Sequence, residues 1–326
     1  MSSNYIVSLT TYYPRFQYAH TAIESVLSQE CPYQYEVHLY IARADIKKNG
    51  GIVPPQIEAL TEKGLKIFIT EEDLLAYDKY VHTLRKNPDK TIITVDDDVI
   101  YPDCFLSKLI QKSQEFPGCI TCFRGHFLSF TAKGDLLPYG FMMGRKSYNV
   151  KSVVPSFCLM PTGVCGVLYP PDSLDEIAVD RELFMNLSPS NDDIWLKMAS
   201  LKKGTLCVRV EKKGISFPTI SGSQAVSLFS INTAKNDSQL QACFSKFPEL
   251  LEKVKEDYVR LNSIYKTSGA AKDKDLVSGA RLCVIKHYVY ALLSIICPIT
   301  FFKNKVLKYK YRSKIAWTLV RGFRDK

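Results

Sequence analysis

Three consecutive aspartates, Asp96, Asp97 and Asp98, directly follow the apolar run of residues 91–95. Neighbouring carboxylates repel one another, and burial at the end of a strand raises their pKa unless a cation offsets the charge. Mg²⁺ and Mn²⁺ bind such hard oxygen ligands, usually one or two carboxylates together with phosphate oxygens and water. The cluster therefore predicts a divalent cation that holds a diphosphate. The structural alternative is a solvated acidic turn ahead of the next helix.

A second acidic pair, Asp192 and Asp193, opens a segment with helical spacing over residues 192–200. A carboxylate beside a metal cleft can take the proton of an attacking hydroxyl group, so the pair predicts a general base. The alternative is again structural. Ser190 and Asp193 fit a variant of the capping box, and acidic residues stabilise a helix N-terminus.

Two glycines, Gly163 and Gly166, interrupt the apolar stretch of residues 156–169. Glycine lets a backbone approach a ligand closely, but it also serves a turn or a bulge in a strand. No glycine-rich phosphate loop of the GxxxxGK[ST] or GxGxxG type follows a predicted strand. Backbone binding of a nucleotide's phosphates is therefore not expected, which leaves a cation as the means of holding them.

Short β-rich runs alternate with helical patterns in the first third of the chain. Strands are predicted at residues 5–9, 36–42, 65–70 and 91–95, and helices at residues 19–27, 54–62, 78–86 and 105–116. This alternation is typical of βαβ units in an α/β fold. Ligands of such sheets lie outside the carboxyl ends of the strands. The aspartate cluster and the loop of residues 10–15 are therefore expected to face one cleft.

The second half of the chain has a less regular pattern. Residues 119–130 and 205–210 read as strands, residues 239–265 as helical and residues 266–274 as a linker. Ten cysteines are scattered without a disulfide framework, which indicates reduced thiols in a cytoplasmic setting. The first residues lack the pattern of a secretory signal, and no run is long enough to predict a membrane span.

The net charge of +10 belongs to the last part of the chain. Residues 281–326 contain eleven Lys and Arg against one acid, and the remainder holds 32 of each sign. An apolar run at residues 287–302, broken by Pro298, precedes the basic stretch. This pattern predicts a segment that lies on an anionic membrane surface. A core helix with a solvated basic end is the alternative. Nucleic acid is not expected as a partner, because no recognition motif is present.

Four sequence elements, in this order, resemble bacterial glycosyltransferases with the GT-A fold that build capsule, lipopolysaccharide and other surface glycans. They are TTYYPR at residues 10–15, DDDVIYP at 96–102, PTGVCGVLYPP at 161–171 and NDDIWL at 191–196. The resemblance covers roughly residues 4–245. It implies a doubly wound mixed sheet with helices on both faces and a C-terminal helical tail. The expected divisions are a transferase domain at 1–238, a helical extension and linker at 239–280, and a membrane-associated tail at 281–326.

The resemblance also implies a role for each matching residue. The nucleotide-sugar donor would be bound by Thr10 and Tyr12 at its base, by Arg15 and Lys79 at its base or phosphate, and by Asp96 and Asp97. Mn²⁺ or Mg²⁺ would be bound by Asp96 and Asp98. Asp193 or Asp192 would be the catalytic base of an inverting reaction, with Gly163 and Gly166 in a loop near the acceptor. Many such enzymes add a late histidine to the metal. His126 is the best candidate here, although a core histidine is the structural alternative.

The function implied is metal-dependent transfer of a sugar from a nucleotide-diphosphate donor to a glycan or a lipid-linked glycan. The enzyme would be cytoplasmic and peripheral on the inner face of the cell membrane. A non-catalytic membrane-docked scaffold and a Mg²⁺-dependent nucleotidyltransferase are the alternatives. Nucleotidyltransferases usually carry a glycine-rich basic loop near the first strand, and residues 10–16 contain no glycine.

Overall fold

The computed structural model describes residues 4–131, 133–142, 154–212, 214–223 and 235–266. The tail predicted at residues 281–326 and all but the first residue of the linker predicted at 266–274 lie outside these residues. Within the described ranges, no helix combines the length and the apolar character that crossing a membrane requires.

A seven-stranded sheet forms the centre of the described chain, in the order β3-β2-β1-β4-β8-β5-β9, and β6 and β7 make a small second sheet. The strands are β1 (Tyr5–Thr11), β2 (Tyr35–Ala42), β3 (Leu65–Thr70), β4 (Thr91–Thr94), β5 (Ile120–Cys122), β6 (Gly125–Phe127), β7 (Leu159–Pro161), β8 (Val167–Tyr169) and β9 (Cys207–Arg209). The four strands predicted in the first third of the chain are all present.

The large sheet is mixed, because β8 runs antiparallel to both of its neighbours. Thr94 at the end of β4 and Cys122 at the end of β5 both pair with Val167, the first residue of β8. Strands β1 to β4 are parallel to one another. The carboxyl ends of β1, β2, β4 and β5 therefore lie along the same edge of the sheet, the one that runs across the strand ends. The turn that leads into β8 lies there too. That edge is where an α/β sheet binds ligands.

Helices cover both faces of the sheet. They are α1 (Phe16–Leu27), α2 (Arg43–Lys48), α3 (Pro55–Glu58), α4 (Asp78–Lys86), α5 (Phe105–Glu115), α6 (Tyr139–Met142), α7 (Arg181–Leu187), α8 (Asp192–Lys203), α9 (Asn236–Lys246) and α10 (Pro248–Lys266). Successive side chains of a strand point to opposite faces. Val7 and Leu9 of β1 accordingly join the core with α1 and α5, while Ser8 bonds to Thr83 of α4 on the other face. The predicted fold class, a mixed α/β sheet with helices on both faces, is confirmed.

Helices α9 and α10 pack into the same core as α8. Leu240 and Val254 are buried in one cluster with Trp195. Asp257 ties α10 to the segment before β7, because its Oδ2 accepts hydrogen bonds from the Ser156 hydroxyl at 2.5 Å and from the Phe157 N–H at 2.7 Å. The division expected between residues 238 and 239 falls inside α9.

Candidate active site

A cleft of about 570 Å³ opens at the carboxyl-end edge of the sheet. It brings together residues that the sequence analysis singled out from distant segments. Among its lining residues are Thr10, Tyr12, Arg15, Lys79, Asp96, Asp97, Asp98, His126, Gly163, Asp192 and Asp193. The remaining candidate, Gly166, does not line it. The acid cluster after β4 and the acid pair at the start of α8 therefore face one space.

The middle aspartate of the cluster, Asp97, is turned inward. Its Oδ1 accepts a hydrogen bond from Nη1 of Arg15 at 2.7 Å, and its Oδ2 accepts one from the Thr11 hydroxyl at 2.6 Å. Burial raises the pKa of Asp97 to about 6, although Arg15 and Thr11 oppose the rise. Thr11 at the end of β1 and Arg15 just after it both bond to Asp97. These bonds fix the aspartate cluster against the end of β1.

Arg15 also contacts the third aspartate. Its Nη1 lies 2.7 Å from Oδ2 of Asp98. Burial alone would lower the pKa of Arg15, but Asp97 and Asp98 more than offset this effect and the pKa is raised. A short 3-10 turn, Tyr13–Arg15, has Pro14 in its first positions. This turn directs the Arg15 side chain towards the aspartate cluster. In the structure Arg15 therefore pairs with the acids.

Lys79 of α4 connects the two acid groups. Its buried ammonium lies 2.8 Å from Oδ1 of Asp96 and 2.9 Å from Oδ2 of Asp192. Burial alone would lower the pKa of Lys79, but Asp192 and Asp96 raise it well above its ordinary value. Asp96 keeps 28% of its side chain exposed, and its backbone N–H donates to the Tyr101 hydroxyl at 2.8 Å. Asp96 is thus the most accessible carboxylate of the cluster.

Asp193 stands at the start of α8 and faces the turn before β8. Its Oδ1 accepts a hydrogen bond from the backbone N–H of Gly163 at 2.8 Å. Burial, and then the neighbouring Asp192 carboxylate, raise the pKa of Asp193 to about 8. A carboxylate with a raised pKa is a stronger base than an ordinary one.

The capping box expected from Ser190 and Asp193 is not formed. Asn191 caps α8 instead, because its side-chain oxygen accepts a hydrogen bond from the Ile194 N–H at 3.0 Å. Ser190 bonds to Gln239 of α9. The two aspartates of α8 are therefore not needed as caps.

The two glycines of the turn occupy different environments. A Cβ at Gly163 would lie 3.1 Å from Nζ of Lys79 and 3.4 Å from Oδ1 of Asp193, so this backbone closely approaches the charged groups. Gly166 has a φ of +83°, and a Cβ there would lie 2.4 Å from the ring of Phe105. Gly166 shapes the turn and packs against α5, away from the cleft.

Replacing Gly166 by Ala is expected to destabilise the protein by about 3 kcal/mol, because a strained backbone and an overpacked contact coincide. Thermal or urea unfolding measures the change. Gly118→Ala is a matched control, since Gly118 also has a positive φ but has nothing within 4 Å of its Cβ position. If Gly166→Ala destabilises no more than Gly118→Ala, the Phe105 contact does not restrict this position.

His126, the predicted third metal ligand, lines the same cleft as the aspartates. Among the described residues, no three His, Cys, Asp or Glu side chains are grouped to hold a metal ion. His126 is buried, and burial, followed by Arg124 and Arg209, lowers its pKa to about 3. Two nearby guanidinium groups oppose a dication at this position. The role of His126 as a third ligand beside Asp96 and Asp98 therefore stays a prediction, which the surroundings of His126 do not favour.

Asp96 and Asp98 nevertheless fit a cation that arrives with a phosphate-bearing ligand. Magnesium and manganese sites of this kind use one or two carboxylates and leave the other positions to phosphate oxygens and water. Among the described residues that line the cleft, eight are aspartates and four are lysine or arginine. Such a lining repels a diphosphate unless a cation accompanies it.

The carboxyl ends of β1 and β2 and the residues that directly follow them form one end of the cleft, with Thr10, Tyr12, Ala42, Asp45 and Lys48. The Thr10 hydroxyl donates to the Tyr40 carbonyl at 3.0 Å, which fixes the end of β1 against β2. The Arg15 guanidinium lies 5.9 Å from the centre of the Tyr12 ring. The structure thus places both residues predicted to hold a nucleotide base at this end.

Three further residues of the cleft were given no role by the sequence. Thr11 binds Asp97, Asn236 accepts a hydrogen bond from the Asn191 side-chain amide at 2.9 Å, and Arg124 lies just after β5. Thr11 and Asn236 act through partners that are distant in sequence. Arg124 could have been found by applying the strand-end rule to the strand predicted within residues 119–130.

No protein-family model and no curated protein matches this chain in sequence. Solved structures resemble it. PcManGT, a mannosyltransferase from Pyrobaculum calidifontis in complex with GDP-Man and Mn²⁺, has a TM-score of 0.46 and 12% identity, covering 100% of this chain and 88% of its own. S. aureus TarS 1-349 in complex with UDP-GlcNAc has a TM-score of 0.44 and 12% identity, with coverages of 98% and 92%. A CMP:2-keto-3-deoxy-manno-octonic acid synthetase complexed with CTP has a TM-score of 0.37 and 13% identity, with coverages of 72% and 100%. At such scores and identities these resemblances assign neither a family nor a ligand to this chain.

Proposed function

We propose that this protein is a metal-dependent glycosyltransferase of the GT-A type, which moves a sugar from a nucleotide-diphosphate donor to the hydroxyl group of a glycan or lipid-linked glycan. One observation carries the proposal. The acid cluster after β4 and the acid pair of α8 line the same cleft, and Lys79 contacts both, at 2.8 Å from Asp96 and 2.9 Å from Asp192. A cation-holding pair beside a second, separately held acid is what this transfer needs.

The donor would lie along the end of the cleft that is formed by the carboxyl ends of β1 and β2 and the residues directly after them. Thr10 and Tyr12 line that end and would contact the base, and Asp96 and Asp98 would hold Mn²⁺ or Mg²⁺ on the diphosphate. When bound, the cation supplies Lewis-acid stabilisation of the charge on the departing nucleotide. Arg15 would hold Asp98 in position, since its guanidinium lies 2.7 Å from that carboxylate.

The catalytic base would be Asp193. Asp192 forms an ion pair with the ammonium of Lys79, at 2.9 Å, so its carboxylate is already engaged. Asp193 has a raised pKa and accepts a backbone hydrogen bond from Gly163, so its carboxylate is fixed in direction. It would take the proton of the acceptor hydroxyl group as that oxygen attacks the anomeric carbon. The sugar's configuration would invert, because attack comes from the face opposite the nucleotide.

A membrane-bound acceptor would suit the basic character of residues 281–326, where eleven Lys and Arg stand against one acid. Such a tail would hold the enzyme on an anionic surface, at the inner face of the cell membrane.

Calorimetric titration of UDP, GDP and CDP, with Mn²⁺ and then with EDTA, tests the proposal. One nucleotide is expected to bind with the metal and to lose its binding when EDTA removes it, because the acidic lining repels the bare diphosphate. Binding that persists in EDTA would contradict the role of Asp96 and Asp98. No binding of any of the three to folded protein would favour the non-catalytic scaffold.

The released product separates the two enzymatic alternatives. A nucleoside diphosphate released from a nucleotide-sugar donor indicates glycosyl transfer, whereas pyrophosphate released from a nucleoside triphosphate indicates nucleotidyl transfer. The second function would also need a site for a triphosphate. Arg15, in the loop after β1, forms ion pairs with Asp97 and Asp98. Its guanidinium is therefore already engaged by the protein's own acids and is not available for a triphosphate.

A further inference from the structure

Arg124 differs from the other cationic side chains of the cleft. Arg15 pairs with Asp97 and Asp98, Lys79 with Asp96 and Asp192, and Lys48 with Asp45. The half-buried Arg124 side chain forms no ion pair or hydrogen bond with any residue in the described ranges, although its backbone carbonyl accepts from Thr162. A guanidinium group that lines a cleft rich in carboxylates, yet pairs with none of those described, is free to bind an anion from outside.

The sheet order places Arg124 on the other side of β4 from the proposed donor end. In the sheet order, β1 and β2 stand on one side of β4, and β8 and β5 on the other. The aspartate cluster follows β4, in the middle of the cleft, and Arg124 follows β5. The Gly163 turn, which contacts Asp193, lies between β7 and β8 on the same side as Arg124. Arg124 and the turn that contacts the proposed base thus lie on the side of β4 opposite the proposed donor end, which leaves this side for an acceptor.

Several neutral polar groups line the cleft together with Arg124. His126 follows Arg124 by two residues in β6, and its ring lies 6.0 Å from that of Tyr139; Ser190 and Asn236 are further lining residues. Asn236 is fixed by Asn191, and the backbone N–H of Tyr139 donates to the Asp237 carboxylate. Such groups suit the hydroxyl groups of a sugar, and Arg124 adds one site for an oxyanion.

We infer that the acceptor carries an anionic group, a phosphate or a carboxylate, close to the hydroxyl group that is glycosylated, and that Arg124 binds it. The inference rests on the proposed function, because it assigns the far end of the cleft to the acceptor. Arg124 contributes a positive charge and a bidentate pair of N–H donors to acceptor binding. It does not take part in donor binding.

Ligand-observed NMR titrations of the full chain test this. Glycerol 3-phosphate and glucuronate serve as the two anionic probes, with glycerol and glucose as their neutral counterparts. Each is titrated with Mg²⁺ and a saturating amount of whichever nucleoside diphosphate binds, and again without nucleotide. At least one anionic probe is expected to bind while its neutral counterpart does not. The probe that binds separates a phosphate-bearing from a carboxylate-bearing acceptor.

Arg124→Gln is expected to weaken binding of that probe by about tenfold or more, since a charge-assisted pair is lost, and to leave nucleotide affinity unchanged. Arg124→Lys should recover part of the affinity. Arg43→Gln removes the same charge outside the cleft, where Arg43 pairs with Glu71, and should have no effect. Thermal unfolding of each variant verifies the fold.

Three results would overturn the inference. They are absence of binding by both anionic probes, equal probe affinity in Arg124→Gln, and a loss of nucleotide affinity in that variant, which would assign Arg124 to the donor. Failure of the proposed function looks different, because then no nucleotide binds at all. The titrations without nucleotide still report whether Arg124 binds an anion in that case.

Discussion

Asp98→Asn is expected to reduce metal-dependent nucleotide binding by more than about 100-fold, because removing a ligand costs more than disturbing its outer partners. The fold should remain intact. Arg15 keeps its second partner, Asp97, at 2.7 Å, and the loss of one charge relieves the repulsion that Asp98 exerts on Asp97. Calorimetry with Mn²⁺ and nucleotide measures the affinity, and thermal unfolding measures the stability.

Asp103→Asn is the matched control. Asp103 is exposed in the same connection between β4 and α5 and does not line the cleft. Asp103→Asn removes the same charge as Asp98→Asn, a few residues away. A non-specific electrostatic effect would therefore appear in both variants. A folded Asp98→Asn protein that binds nucleotide with unchanged metal dependence would remove Asp98 from the metal site and leave the cluster as a structural network around Arg15.

The positions of the acid clusters could be predicted from the sequence because strand ends and helix starts are local features. An apolar run followed by three aspartates, and two aspartates ahead of a helical pattern, need no knowledge of distant partners. Because ligands of α/β sheets lie outside the carboxyl ends of the strands, the cluster and residues 10–15 were expected at one cleft, and both line it. The resemblance added Asp193, which lines the same cleft.

The partners of the cations could not be predicted in this way. Arg15 and Lys79 were expected to contact base or phosphate, yet in the structure they contact Asp97, Asp98, Asp96 and Asp192. Which acid a buried cation meets depends on how the loop after β1 and helix α4 pack against the loop after β4. That packing is a property of the folded chain. The antiparallel insertion of β8 has the same origin, since three residues carry no signal of their direction.

The two glycines show where a pattern is ambiguous. Gly163 and Gly166 stand three residues apart and were both expected near the acceptor. The structure gives them separate reasons for being glycine, the approach of Lys79 in one case and a positive φ beside Phe105 in the other. Sequence alone shows only that a side chain is absent, and this can result from a ligand, a neighbouring side chain or the backbone conformation.

Asp193→Asn is expected to lower the rate of sugar transfer by about 100- to 10,000-fold, the range that a general base contributes, with little change in nucleotide affinity. The asparagine oxygen can still accept the hydrogen bond that Gly163 donates at 2.8 Å, so the turn should keep its shape. What is lost is a carboxylate whose pKa burial and Asp192 raise to about 8. Transfer is measured as release of nucleoside diphosphate in the presence of acceptor.

Two further variants, Asp192→Asn and Asp180→Asn, test whether the loss of transfer is specific to Asp193. Asp180 caps α7 outside the cleft, where asparagine caps equally well, so its variant should keep full activity. Asp192→Asn removes a partner of Lys79 and is expected to have a smaller effect on transfer than Asp193→Asn. The reverse order would make Asp192 the base. In the proposed division of the cleft, Asp98→Asn loses the nucleotide whereas Asp193→Asn keeps it and loses transfer. If both variants lost the nucleotide alike, the two acid groups would serve a single binding site, and Asp193 would have no separate role in catalysis.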